Sequence, residues 1–128
     1  MDSTPNPGSS TPPLVRLTRD LERWGSLFLE VARTRGAIAA EQIMGGLVEW
    51  MGSDLLDGWL RLPIPIFEEV SGLSEELLQA CQAHLAWLRQ SPRPVPAEAR
   101  CPHEDLIRSV LDRVRVLAKT SGGNPHGG

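Results

Sequence analysis

Apolar residues recur along this chain every three to four positions, a period that predicts helices and no strands. From Pro13 to Thr34 the seam Leu14, Leu17, Leu21, Trp24, Phe28, Val31 is spaced 3-4-3-4-3. That spacing stacks six large side chains on one helix face. Pro12 and Pro13 suit its start, where a missing N–H is not needed. Arg33 and Arg35 suit the negative pole at its end, and Gly36 reads as the stop.

A second helix is expected from Ala37 to Met51, with Ile38, Met44, Leu47, Val48 and Met51 as its apolar stripe. Gly45 and Gly46 lie inside it. Each costs about 1 kcal/mol relative to Ala in a helix interior, so the pair implies either close packing or a kink. Gly52-Ser53 reads as stop and N-cap of a short helix running to Leu62, with Leu55, Leu56, Trp59 and Leu60 in the core. Pro63 and Pro65 then predict an extended path through Phe67, whose apolar side chains need cover from the bundle or from a partner. The third helix is expected to start at Ser74 as N-cap, with Glu75 and Glu76 in its first turn. Leu78, Cys81, Leu85 and Leu88 form its seam, and it ends by Ser91. Residues 91–102 hold four prolines and read as a stiff connector. A fourth helix begins near Pro102, with Ile107, Val110, Leu111, Val114 and Leu117 inward and Glu104–Arg108 as an i,i+4 pair.

These segments predict an all-α protein, a small antiparallel bundle of four to five helices over residues 13–120. A Pro/Ser/Thr-rich tail (1–12) and a Gly-rich tail (121–128) are too polar to fold and are expected to be disordered. The length, 128 residues, suits one domain. A net charge of −3 gives no chain-wide basic footprint for nucleic acid, which is not expected as a partner. Two cysteines make no disulfide scaffold, and no apolar run reaches the roughly 20 residues of a membrane span. The N-terminus carries no secretory pattern, so a cytoplasmic or nuclear location is expected.

Three features are candidates for chemistry or recognition. Cys81 and His84, one helical turn apart, together with Cys101 and His103, make a C-x2-H…C-x-H set that could ligate zinc, the one cofactor the sequence raises. The alternative is a core Cys81, a surface His84, and Cys101 and His103 in a loop. The basic end of the fourth helix, Arg108, Arg113, Arg115 and Lys119, is either a contact for phosphates or a solvated face complementing the helix dipole; interleaved aromatics are absent, which favours the latter. On the first helix, Leu17-Thr18-Arg19-Asp20-Leu21-Glu22-Arg23-Trp24-Gly25-Ser26-Leu27-Phe28 resembles the BH3 motif of the Bcl-2 family. The resemblance implies a helix that docks in an apolar groove through Leu17, Leu21, Trp24 and Phe28, with Gly25 allowing close approach. Ser26 stands where that motif has Asp, so the salt bridge that Asp would make is missing, and Trp24 is bulky for its slot. The remaining sequence does not match the other homology regions. An ordinary core helix with one Gly gives the same pattern.

No GxSxG, Walker A, HExxH or GxGxxG pattern occurs, and the adjacent pairs Glu68-Glu69 and Glu75-Glu76 diverge on a helix. The expected function is therefore a non-enzymatic interaction or adaptor module that presents amphipathic helix faces to itself or to a protein partner. Leu17, Leu21, Trp24 and Phe28, the Trp50 indole, and Ile64, Ile66 and Phe67 are the expected contacts.

Overall fold

The computed structural model describes residues 12–90 and 102–122. They form an all-α bundle: α1 (Pro13–Arg35), α2 (Ala37–Trp50), a π-helical turn (Met51–Leu55), a 3-10 turn (Gly58–Leu60), α3 (Ile64–Gln90) and α4 (Pro102–Gly122). The expected tails at 1–12 and 121–128 lie outside the described residues, except Pro12 and the last turn of α4, and so does the connector over 91–101.

The four helices form an antiparallel ring in which each packs on its chain neighbours and α4 closes onto α1. The register follows from cross-helix pairs. Arg33 near the end of α1 reaches Glu104 at the start of α4, at 3.0 Å, while Glu22 reaches Arg115 further down. Glu76 of α3 likewise pairs with Arg113 of α4, and Glu41 of α2 with Arg89 of α3. All these pairs are solvent-exposed at one partner or both and each contributes at most about 1 kcal/mol. The core comes from the apolar seams: Leu14, Leu17, Leu21 and Phe28 of α1 are buried, as are all five inward residues predicted for α4.

Gly36 alone makes the α1–α2 corner. Its φ of +89° is open to glycine and strained for other residues; its N–H donates to the Val31 carbonyl, and its own carbonyl accepts from Ala40 N–H. The two inner glycines resolve differently. A Cβ on Gly46 would lie 2.6 Å from the Trp24 ring, so this glycine is a packing notch between α1 and α2; a Cβ on Gly45 would meet nothing within 4 Å. The helix runs on through both without a break.

Three expected boundaries are corrected. Gly52-Ser53 neither stops α2 nor caps a new helix: Ser53 Oγ donates back to the Glu49 carbonyl at 2.9 Å, and the chain passes into a π turn. The cause is burial. Trp50 and Leu55 both belong in the core, but five residues of α-helix would set them about 140° apart. A turn closing i→i+5 brings them to the same side. Ser74 is likewise no N-cap but lies buried in mid-helix, its Oγ donating to the Val70 carbonyl at 2.8 Å. The segment Pro63–Phe67 is not extended: α3 begins at Ile64. Pro63 precedes the first helical residue and Pro65 is the second, positions where no intrahelical amide is required. The first amide that is required, Phe67 N–H, donates to the Pro63 carbonyl at 2.9 Å.

Candidate functional site

Most of the contact residues expected on α1 are corrected to core. Leu17, Leu21 and Phe28 are buried, and Trp24 is half-buried over Gly46. Gly25 does permit close approach, but of this chain's own α4: a Cβ there would lie 2.6 Å from the Leu111 side chain. The BH3-like stripe is therefore covered within the molecule, because α2 and α4 flank α1 along its length. Trp50 is corrected too. It is 6% exposed, and its Nε1–H donates to Asp20 Oδ2 at 3.1 Å. A hydrogen bond to a charged acceptor contributes roughly 1.5–3 kcal/mol and ties the end of α2 to α1.

The remaining expected contacts lie at an apolar surface that includes residues assigned above to the core. Leu60 is 83% exposed, Ile64 67%, Trp59 60% and Leu56 56%. They lie close in sequence: Leu56 follows the π turn, Trp59 and Leu60 end the 3-10 turn, and Ile64 opens α3 with Phe67 three residues on. The Trp59 ring stands edge-on to Phe67, centroids 5.4 Å apart. Phe67 and Ile66 are half-buried and root the patch in the core. With side chains of this size the patch amounts to about 500 Å² of apolar surface, within the range of the largest patches on monomers, which are often functional. The burial of Leu56, Trp59 and Leu60 fails for a geometric reason. Leu55 takes the inward position and leaves Leu56 outside; between Gly58, buried under Leu17, and Pro63, Leu62 is half-buried while Trp59 and Leu60 both stay outside. The adjacent apolar pairs Leu55-Leu56 and Trp59-Leu60 were the available signal.

The metal set does not assemble among the described residues. No three His, Cys, Asp or Glu side chains there gather to hold a metal ion. Cys101 lies outside the described residues. Cys81 is buried in the α3 seam, and burial pushes its thiol up to about 12, which keeps it protonated and a poor ligand. His84 is corrected from surface to core: it is 5% exposed, with its ring edge-on to Phe28 and stacked at 6.0 Å on Trp87. Its Nδ1, like that of His103, has no hydrogen-bond partner.

Burial holds the His84 imidazole below its ordinary pKa; Glu104 opposes that shift, and His103 adds to it. The neutral ring is thus favoured in the folded state. Stability from this group is fully present above the unfolded value of 6.5 and is lost as pH falls from there toward the lowered folded value. Urea unfolding between pH 7.5 and 5 is expected to give a falling midpoint for the native chain and a flatter profile for His84→Leu; parallel profiles would refute the assignment. Glu76, held below its usual range by the Arg113 hydrogen bond, acts with the same sign at lower pH, its effect being lost as pH falls below the ordinary value of 4.5.

The basic end of α4 is largely matched by acids. Arg113 pairs with Glu76, Arg115 with Glu22 and Asp112, and Arg108 approaches Glu104 at 3.7 Å. A cleft of about 560 Å³ between α1 and α4 is lined by Glu30, Arg33, Arg108, Asp112 and Arg115 among others, so both charge signs share its walls. No helix among the described residues is long and apolar enough to cross a membrane. No family model matches the chain, and comparison with curated proteins and with solved structures found none similar to it.

Proposed function

We propose that this chain is a non-enzymatic protein–protein interaction module whose contact surface is the patch of Leu56, Trp59, Leu60 and Ile64. One observation carries the reading: Leu56, Trp59, Leu60 and Ile64 are all more than half exposed within one short stretch of chain, whereas the other exposed large apolar side chains among the described residues, Leu27, Ile38, Val48, Leu106 and Val116, are scattered along the chain. Ile38 and Val48 thereby depart from the stripe expected for α2. Trp is among the residues most enriched at interface hot spots, and Leu56, Leu60 and Ile64 surround Trp59 with apolar area that would exclude water from it. The patch is rooted on helical turns held by Trp50, Leu55 and Phe67, so little conformational freedom is lost when a partner binds. Two of the contacts expected from sequence, Ile64 and Phe67, belong to it.

The test is a double variant, Trp59→Ala with Leu60→Ser. Both side chains are mostly in solvent, so the thermal midpoint is expected to move by no more than a few degrees. Proteins captured by the native chain are expected to be lost from the variant. Capture of the same proteins to the same extent by both would refute the reading.

A further inference from the structure

The ground around the patch has a pronounced charge. Between Gly36 and Leu88 the chain carries eight acidic residues, and Arg61 is its single Lys or Arg. Glu49, Asp54, Asp57, Glu68 and Glu69 fall within a few residues of the patch, and all five are exposed. Arg61 is already engaged, its guanidinium 3.3 Å from Asp57. From the neighbouring helix, Arg16 and Asp20 reach this end and line a small cleft together with Asp54, Asp57 and Arg61. The local balance stays negative. Outside that stretch lie twelve of the thirteen Lys and Arg residues together with the other eight acidic ones. The stretch that carries the patch is thus the acidic part of the chain.

Resting on the reading above, we infer that the occupant of the patch is a basic amphipathic helix of another protein, with aliphatic or aromatic anchors on one face and Lys or Arg flanking them. The anchors cover Leu56, Trp59, Leu60 and Ile64. The flanking cations meet Asp54, Glu68 and Glu69 at the polar rim, where charge complementarity raises the association rate and sets orientation. A second copy docked through the same patch is disfavoured by the same charges. A two-fold contact would set each acidic rim against its twin, and like charges brought together oppose docking. Polyanionic nucleic acid is disfavoured on the same ground.

The experiment uses the full chain and two fluorescein-labelled model peptides of 18 residues. Both have Leu on one helical face; one has Lys on the other face and the other has Glu. In low salt the Lys peptide is expected to bind with a Kd on the order of 10 µM. Binding should weaken at least tenfold with Trp59→Ala/Leu60→Ser and severalfold with Glu68→Gln/Glu69→Gln. Glu30→Gln, on α1 roughly 20 Å along the helix from the Leu17 end that touches Gly58, should leave it unchanged. The Glu peptide should bind at least tenfold more weakly. Equal binding of the two peptides to the native patch would overturn the charge assignment and leave the interaction surface standing. Binding of the Lys peptide that ignores the Trp59/Leu60 change would remove the patch as its site, and with it this inference. Sedimentation velocity without peptide is the third arm: a dimer abolished by Leu60→Ser would make the occupant a second copy and overturn the proposal, whereas a monomer supports it.

Discussion

Phe28→Ala is expected to destabilise the fold by about 3–5 kcal/mol, against a total that for a domain of this size is roughly 5–15 kcal/mol. Phe28 is almost fully buried on α1, and its ring meets the His84 edge with centroids 5.7 Å apart. Truncation removes the apolar contacts of the ring and leaves a cavity where α1 faces α3. The flanking residues sit on continuous helices and cannot collapse freely into it. A fall in the urea midpoint at unchanged m is the expected reading. A second effect follows from the geometry. The lost ring lets water approach His84, so the depression of its pKa shrinks and stability depends less on pH near 6. A loss under 1 kcal/mol would show that the α1–α3 contact is not central to the bundle.

The neighbouring glycines of α2 form a matched pair with opposite expected signs. Gly46→Val drives a branched Cβ into Trp24, whose Cη2 and Cζ3 lie 2.6 and 2.8 Å from the site of that carbon. The indole must leave its notch between α1 and α2, an overpacking cost of about 1–3 kcal/mol. Gly45→Ala meets open space and gains helix propensity, worth up to about 1 kcal/mol. Thermal melts of the two variants should therefore diverge in opposite directions from the native chain. A stabilised Gly46→Val would mean that Trp24 is not held where it lies.

The legibility of the fold varies along the chain for a physical reason. The apolar spacing is regular over more than four turns in α1 and about three in α4, the ends carry Pro, Gly and basic residues in their favoured places, and both helices and their inward residues follow from local pattern. Leu14, Leu17, Leu21 and Phe28 of α1, and Ile107, Val110, Leu111, Val114 and Leu117 of α4, are buried as the spacing predicts. The region from Gly45 to Ser74 is different because its punctuation is ambiguous. A proline is compatible with an extended strand or with the first turn of a helix, and a serine caps a helix or bonds back to its i−4 carbonyl. Local sequence offers both outcomes at similar free energy. Tertiary contacts decide between them.

The candidate site lies in that ambiguous region, and its reading from sequence was mixed. Ile64, expected at a contact surface, is exposed, and Phe67 is half-buried beside Trp59. Trp50 and Trp59 exchange their expected roles: Trp50 has Asp20 across the α1–α2 interface to accept its N–H, and Trp59 has only the edge of Phe67. Neither partner is near in sequence, so no local pattern reports it. The acidic character of the patch, by contrast, is plain in the order of residues; only its coincidence with exposed apolar side chains required the fold.

What the amino-acid order determined alone is the all-helical class, the long α1 and α4 with their buried stripes, and the uneven placement of charge, because each depends on residues within a few turns of one another. What the tertiary structure decided is that Leu55 turns inward while Leu56, Trp59 and Leu60 do not, where α3 begins, and that the stripe of α1 is covered from within. Those outcomes depend on the wide turn that carries Trp50 and Leu55 to one side and on the close approach of α4 at Gly25. The approach at Gly25 joins segments distant in sequence, and the turn, though local, is set by the burial of Trp50 and Leu55 in the shared core, which outweighs the preferences of the stretch itself.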